Sequence, residues 1–171
     1  KNNIIISNNF FSDIECDSLI ELYERQKHMA KPPKHKPPKH NNVSAMPIYR
    51  YPNYENRHFT HFRKKLHKSV LNLTKQNDIE PDWGILYKWP EGSYHDPHYD
   101  TASEKTILTT VAYLNDNFTG GATYLGCGTK IAPQKGRLLI FNGNKILHGV
   151  EPIQEGERYS FSVWWKKSEK K

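Results

Sequence analysis

Three side chains of this sequence can bind a metal ion and have the spacing that is typical of a metal site. They are His98, Asp100 and, about fifty residues further along, His148. Two imidazoles and one carboxylate can occupy one face of a metal ion and leave its other positions open. Proteins use this set of donors to hold Fe(II) for reactions with oxygen, and similar sets hold zinc in hydrolases. The pattern therefore predicts a metal site, with iron and zinc as the two candidate ions.

The spacing of His98 and Asp100 has a geometric meaning in an extended chain. Successive side chains of a strand point to opposite faces, so two residues that are two positions apart share a face. His98 and Asp100 can therefore approach one metal ion together. The neighbouring pair His95 and Asp96 is adjacent in sequence and cannot do the same, so we expect His95 to lie beside the metal or the substrate. His148 must come from another strand.

A cation near the end of the chain favours iron over zinc. In the last strand that the sequence predicts, alternate residues form a polar face: Arg158, Ser160, Ser162 and Trp164. Burying an arginine in such a strand is costly unless its charge meets an anion, and a carboxylate fits a guanidinium with two parallel hydrogen bonds. A zinc hydrolase would need a general base near the metal instead. Arg158 therefore predicts a pocket for an acidic cosubstrate.

Two helices and a set of short strands are predicted to position these residues. Ser12 and Glu15 have the spacing of a capping box, which predicts a helix from about residue 13 to 28. A second run of apolar residues at helical spacing predicts a helix over 55–76. The stretch between them repeats Lys-Pro-Pro-Lys-His twice at 31–40. Because proline fixes φ and removes hydrogen-bond donors, 30–54 is predicted to be a Lys/Pro/His-rich loop.

From residue 82 onward the pattern changes to short β-rich runs separated by Gly, Pro, Asn and Asp. The runs are 83–89, 105–114, 122–125, 137–141 and 159–165. Helices followed by many short strands predict an α+β protein with an antiparallel barrel or jelly roll in its second half. We predict one domain over 1–171, in which 1–80 is a helical support, 81–167 is the catalytic β-barrel and 168–171 is a tail.

Composition excludes two classes of protein. Two cysteines do not make a disulfide framework, and no apolar run approaches the roughly 18 residues that a membrane-spanning helix needs. No signal peptide is visible, so the sequence predicts a cytoplasmic protein without a membrane partner. The formal charge of +7 favours acidic partners, such as nucleic acid, an acidic peptide or a small dianion.

Further motifs extend the pattern over nearly the whole chain, from Asn9-Phe10-Phe11-Ser12 onward. They are Gly92 six residues before His98, His98-Tyr99-Asp100, Val111-Ala112-Tyr113-Leu114-Asn115, Gly120-Gly121-Ala122-Thr123, the run from Gly136 to Phe141, His148-Gly149-Val150-Glu151-Pro152, and Arg158 to Trp164. With them the chain resembles the Fe(II)- and 2-oxoglutarate-dependent dioxygenases, and most of all their prolyl 4-hydroxylase branch. The resemblance implies a double-stranded β-helix barrel with the N-terminal helices packed on its major sheet.

The resemblance also implies roles for individual residues. It assigns the iron ligands to His98, Asp100 and His148. It implies that Arg158 pairs with the distal carboxylate of 2-oxoglutarate and that the Tyr113 hydroxyl supports the same group. The other residues that it places against the cosubstrate or beside the iron are Val111, Trp164 and Tyr87.

The implied cofactors are Fe(II), 2-oxoglutarate and O₂, with ascorbate as a candidate reductant. The implied reaction is hydroxylation of prolyl residues in a peptide or protein, giving succinate and CO₂. Two departures leave the substrate open, since His95 stands where the branch often has Tyr and Arg158 where it often has Lys. The alternatives are hydroxylation of a free amino acid or small metabolite, and demethylation of nucleic acid. The last is disfavoured because Trp164 stands where those enzymes usually have a second arginine.

Overall fold

The computed structural model describes residues 3–33, 42–126 and 128–169. The helices of the described chain are α1 (Asp13–Gln26), a 3₁₀ turn at Lys27–Met29, and α2 (Thr60–Thr74). The strands are β1 (Ile5–Ser7), β2 (Ser44–Arg50), β3 (Tyr54–Glu55), β4 (Ile79–Trp89), β5 (His95–His98), β6 (Leu108–Tyr113), β7 (Thr119–Gly120), β8 (Thr123–Leu125), β9 (Lys130–Ile131), β10 (Leu138–Phe141), β11 (His148–Val150), β12 (Ile153–Glu155) and β13 (Arg158–Lys167).

Seven strands form the major sheet, in the order β1-β10-β6-β13-β4-β2-β3, with every pairing antiparallel. Four strands form the minor sheet, in the order β5-β11-β8-β9. Side chains from both sheets share one apolar cluster, in which Val111 and Phe141 of the major sheet meet Leu125 and Ile131 of the minor sheet. The two sheets therefore face each other, and the predicted double-stranded β-helix is confirmed.

Both helices pack on the other face of the major sheet. Helix α1 begins as predicted, because the Ser12 hydroxyl accepts a hydrogen bond from the Glu15 backbone N–H at 3.2 Å and the Glu15 carboxylate accepts one from the Ser12 N–H. Its buried residues include Leu19 and Leu22, and those of α2 include Leu66. These side chains join sheet residues in the largest apolar cluster, so the helices support the barrel from outside.

The predicted loop over 30–54 is wrong from residue 44 onward, because Ser44–Arg50 form β2 in the major sheet. Pro47 concealed this strand, since proline lacks the N–H that a central strand needs. The pairing of β2 with β4 shifts register between Pro47 and Tyr49, and this irregularity accommodates the proline. The rest of the Lys-Pro-Pro-Lys-His repeat, over 34–40, lies outside the described residues, as does Cys127.

The N-terminal part is also less helical than predicted over 1–80. It contributes β1, β2 and β3 to the major sheet as well as both helices. Helix α2 begins at Thr60 rather than near residue 55, because Tyr54 and Glu55 pair with β2 and the Asn56 side chain then accepts a hydrogen bond from the His58 N–H. No helix in the described ranges is long and apolar enough to cross a membrane.

Candidate functional site

The three predicted metal ligands come together at one end of the minor sheet. His98 ends β5 and His148 begins β11, and the two residues are direct partners across these strands. Asp100 follows β5, and its Oδ1 lies 3.7 Å from Nε2 of His98 and 3.3 Å from Nε2 of His148. One potential ligand atom from each residue lies within 4.8 Å of the other two, so the three side chains could hold a metal ion.

Backbone carbonyls fix the orientation of both imidazoles. Nδ1 of His98 lies 2.8 Å from the Asp96 carbonyl oxygen, and Nδ1 of His148 lies 2.8 Å from the Ile146 carbonyl oxygen. A carbonyl can only accept, so Nδ1 donates in both rings and each Nε2 lies toward Asp100. Three potential ligand atoms that converge in this way suit a metal cation between them. The donor set therefore fits the Fe(II) that the sequence predicts.

Thr109 and Gly143 hold the Asp100 carboxylate in place, although the sequence singled out neither for this purpose. The Thr109 hydroxyl donates a hydrogen bond to Asp100 Oδ2 at 2.6 Å, which leaves Oδ1 toward the two imidazoles. The Asp100 N–H donates to the Gly143 carbonyl at 2.9 Å. A Cβ atom on Gly143 would lie 2.0 Å from Asp100 Oδ2, so this position has room only for glycine.

The Asp100 carboxyl remains ionised in this environment. Burial opposes its ionisation, but the contacts with His148 and His98 and the Thr109 hydrogen bond outweigh burial and lower the pKa of Asp100 far below its usual value. A permanent carboxylate is the form that a metal ion requires.

A cavity of about 990 Å³ opens beside the triad and extends over the concave face of the major sheet. Cross-strand pairing arranges the sheet residues of its wall in rows. One row is Arg50, Trp83, Trp164, Thr109 and Phe141. The next rows are Pro47, Ile85, Ser162 and Val111, and then Ala45, Tyr87 and Ser160, followed by Trp89 and Arg158. The polar face that the sequence predicted for β13 therefore lines the cavity over its whole length.

Arg158 lies at the inner end of this cavity and is 2% exposed. One of its terminal nitrogens donates to the Gly121 carbonyl at 3.0 Å, whereas its Nε is buried without a hydrogen-bond partner. Within the described ranges no carboxylate forms an ion pair with Arg158. Burial lowers the pKa of the guanidinium, yet arginine stays charged in proteins. This buried charge therefore requires an anion from outside the described chain.

The other predicted cosubstrate residues differ in their access to the cavity. Tyr113 packs against Arg158, whereas Tyr87 and Val111 line the cavity itself. The ring of Tyr113 lies beneath the guanidinium, 5.1 Å from ring centroid to Cζ, and its hydroxyl forms a 2.5 Å hydrogen bond with the hydroxyl of Thr123. Thr123 lines the cavity, and Tyr87 and Val111 line it as well. Burial raises the pKa of both tyrosines, so their phenols stay protonated and able to donate. Tyr113 reaches the cavity through Thr123 and Arg158.

Trp164 lies at the opposite end of the polar face of β13, close to the triad. Its indole stacks on that of Trp83, with centroids 3.9 Å apart and planes at 15°. Trp164 pairs across the sheet with Thr109, the residue that bonds Asp100. His95, which the sequence placed beside the metal or substrate, stacks on His98 with centroids 3.6 Å apart and lines the cavity.

Comparisons with known proteins agree with this geometry. The sequence model of the 2OG-Fe(II) oxygenase superfamily matches residues 83–166, which contain the triad, Arg158 and Trp164. A protein of Acanthamoeba polyphaga mimivirus, provisionally named as a prolyl 4-hydroxylase, is 28% identical over 104 residues. The match includes 47% of this chain and 43% of that protein, so the chain spans less than half the length of this curated relative.

Solved structures share the fold over nearly all of the chain. A viral collagen prolyl hydroxylase from Paramecium bursaria Chlorella virus-1, in complex with 2-oxoglutarate, has a TM-score of 0.75 and 24% identity and covers 96% of each chain. A prolyl-4-hydroxylase of Pseudomonas putida has a TM-score of 0.77 and 16% identity, with 99% of this chain and 95% of that one covered.

A prolyl hydroxylase of Trichoplax adhaerens gives a similar result. It was solved with a peptide fragment of a hypoxia-inducible factor, and it has a TM-score of 0.76 and 20% identity. The match covers 98% of this chain and 84% of that one. These three structures establish a common barrel with helices on its outer face.

Proposed function

We propose that the chain is a member of the 2OG-Fe(II) oxygenase superfamily, whose sequence model matches residues 83–166, and that it hydroxylates prolyl residues of a peptide or protein with 2-oxoglutarate as cosubstrate. One observation carries the proposal: a buried arginine without an acidic partner shares a cavity with a His-Asp-His site. The two features together suit a cosubstrate that is both a metal ligand and a carboxylate. Neither feature alone would separate an iron oxygenase from a zinc hydrolase.

The metal site and Arg158 are placed to bind opposite ends of 2-oxoglutarate. Thr123 pairs with Val150, which lies two residues from His148, a separation of about 7 Å along a strand. A five-carbon dicarboxylate can span such a distance. We assign its distal carboxylate to Arg158, with the hydroxyls of Thr123 and Tyr87 as further donors. Tyr113 supports this pocket from below through its contacts with Arg158 and Thr123.

The remaining groups of the site have a positioning role. His98, Asp100 and His148 would hold Fe(II), which supplies the oxygen chemistry that no side chain offers. Val111, Trp164 and the other apolar residues of the wall exclude water from the reacting groups.

Prolyl peptides are the substrate class that the cavity and the relatives favour. The cavity continues past the triad to Arg50 and Tyr54 at its rim, so it has room for an extended chain beyond the cosubstrate. Each of the relatives named above is described as a prolyl hydroxylase, and one of them binds a peptide. O₂ completes the reaction, and ascorbate would serve to keep the iron reduced.

The test is turnover with a panel of peptides. Purified protein with Fe(II), 2-oxoglutarate and ascorbate is incubated with proline-containing peptides, and succinate and a mass gain of 16 Da on proline are measured. Asp100→Ala should abolish both products and Fe(II) binding, whereas His58→Ala, a surface histidine, should change neither. If no peptide were hydroxylated but a free amino acid stimulated succinate formation, the substrate would be a free amino acid rather than a peptide. No succinate under any condition would overturn the proposed reaction.

A further inference from the structure

A single row of side chains leads from the metal site to the rim of the cavity. Thr109, which bonds Asp100, pairs across the major sheet with Trp164, Trp164 pairs with Trp83, and Trp83 pairs with Arg50. These residues come from β6, β13, β4 and β2, and all four line the cavity. A substrate that enters over β2 must therefore pass Arg50 and the two tryptophans before it reaches the metal.

The guanidinium of Arg50 continues the stack that the two indoles form. Its Cζ lies 5.8 Å from the centroid of the Trp83 ring, within the range of a cation–π contact. The side chain is exposed, and in the described part of the chain it makes no ion pair or hydrogen bond. The ring fixes the position of the guanidinium and leaves its N–H groups free for another partner.

The charges around the cavity favour an anionic partner. The described residues that line it include three cationic side chains apart from the histidines: Lys31, Arg50 and Arg158. Among the same residues the one carboxylate is Asp100 of the triad. Arg158 lies at the inner end and is assigned to the cosubstrate. Lys31 and Arg50 are exposed and lie toward the opening, where no carboxylate of the described residues balances them.

The second polar group of the row is also without a partner. Nε1 of Trp83 is buried and lacks a hydrogen-bond acceptor in the described part of the chain. A buried indole N–H normally finds an acceptor, and an unmet one is unfavourable. This unmet N–H lies in the same row as Arg50, whose exposed guanidinium would find its partner in a carboxylate.

We propose that Arg50, Trp83 and Trp164 form a subsite that selects peptide substrates with an acidic side chain a few residues from the target proline. The inference rests on the proposed function and names the sequence that the same site prefers. From β6 to β2 there are three strand spacings, roughly 14 Å in total. An extended peptide covers about 3.4 Å per residue, and the Arg50 side chain shortens the gap. The acidic residue therefore lies roughly two to four positions from the proline.

The experiment measures binding and turnover separately. Labelled peptides contain one proline, with a single Glu placed two, three or four residues to either side, and each has a partner peptide with Gln in place of Glu. Fluorescence anisotropy measures binding to protein loaded with Mn(II) and 2-oxoglutarate, a combination that needs no turnover. The best Glu peptide should bind about tenfold more tightly than its Gln partner at low salt, and this preference should weaken at high salt.

Variants of two arginines locate the preference. Arg50→Gln should bring the ratio of the two affinities close to one, whereas Arg57→Gln, which removes the same charge from an exposed position outside the cavity, should leave the ratio near ten. Trp83→Phe replaces the indole that the guanidinium of Arg50 contacts with a smaller ring, and it should reduce the preference for Glu without abolishing it.

A wild-type ratio near one, or a ratio that Arg50→Gln leaves unchanged, would overturn the subsite even where both peptides are hydroxylated. The opposite result is also informative, because a preference for Glu without any hydroxylation would uphold the subsite and overturn the proposed reaction. Tighter binding of a single-stranded oligonucleotide that depends on Arg50 would overturn the assignment to a peptide.

Discussion

The two faces of strand β13 are made from alternate residues of one stretch, yet they differ in almost every property. One face presents Phe161, Val163 and Trp165 to the helices, in a cluster of apolar side chains that are nearly or fully buried. The other presents Arg158, Ser160, Ser162 and Trp164 to the cavity. The first face gains stability from contacts that are complete within the chain. The second contains the buried charge of Arg158, which has no anionic partner within the described part of the chain.

This difference separates folding from function residue by residue. A side chain of the packed face is expected to change the free energy of unfolding and to leave ligand affinity alone. A side chain of the cavity face is expected to do the reverse, because it faces the space that metal, cosubstrate or substrate would occupy and contributes less to the packed core. Adjacent positions of β13 allow this expectation to be tested within a single strand.

The largest expected effect on stability is at Phe161. Its ring is fully buried and contacts Phe11 and Phe59 edge-on, with centroids 5.4 and 5.8 Å away. Phe161→Ala should lower the free energy of unfolding by about 3–5 kcal/mol, because it removes apolar contacts and leaves a cavity. Urea denaturation measures the change. The neighbouring Ser162→Ala on the other face should cost less than about 1 kcal/mol, and an equal loss at both positions would contradict the division between faces.

Arg158 should show the opposite behaviour. Arg158→Gln should weaken binding of 2-oxoglutarate to the Fe(II)-loaded protein by about 100-fold under argon, because a carboxylate loses its buried charged partner. The free energy of unfolding should stay the same or rise, since an unpaired buried charge is removed. Calorimetry and urea denaturation give the two values. Arg158→Lys should retain part of the affinity, and a large loss of stability in either variant would assign Arg158 to the packed core.

The sequence predicts the candidate residues of this site better than the residues that hold them in place. His98, Asp100 and Arg158 could be found because strand parity and short spacings are local properties of the chain. Thr109, Gly143 and Trp83 could not, because their roles depend on the register between strands that are distant in sequence.

The same limit applies to the fold. The barrel and the capped first helix follow from periodicity and turn residues, whereas β2 was hidden by Pro47. A register shift next to Pro47 allows the strand to pair despite the missing N–H. This shift is a property of the pairing between β2 and β4, so it cannot be predicted from the sequence of β2 alone. Local pattern therefore predicts the elements, and pairing decides where their side chains meet.

Thr109 offers an intermediate test of the cavity face. Thr109→Val keeps the shape of the side chain but removes the hydrogen bond to Asp100, so Fe(II) affinity should fall about tenfold. Thr109→Ser should restore most of the affinity. The adjacent Thr110, which accepts a hydrogen bond from the Trp165 indole on the packed face, is the matched control. Thr110→Val should lower stability and leave Fe(II) affinity unchanged, and a loss of metal binding there would contradict the comparison.

The smallest effect is expected at the edge of the packed face, where Glu24 of α1 accepts hydrogen bonds from Tyr159 of β13 at 2.5 Å and from Lys88 at 2.9 Å. The hydrogen bond from Tyr159 is the largest cause that lowers the pKa of Glu24 to about 2. A carboxyl whose pKa is lower in the folded protein stabilises it above the unfolded pKa of about 4.3, and this contribution disappears as the pH falls through the folded value.

Glu24→Gln should therefore lower the free energy of unfolding by less than about 1 kcal/mol at pH 7, since the group is partly exposed. The difference from wild type should shrink between pH 4.3 and about 2, as urea midpoints over this range would show. Glu21→Gln on the exposed face of α1 is the control. A Glu24→Gln deficit that stayed constant down to pH 2 would mean that the bonds to Tyr159 and Lys88 act without the charge, as neutral packing contacts do elsewhere on this face.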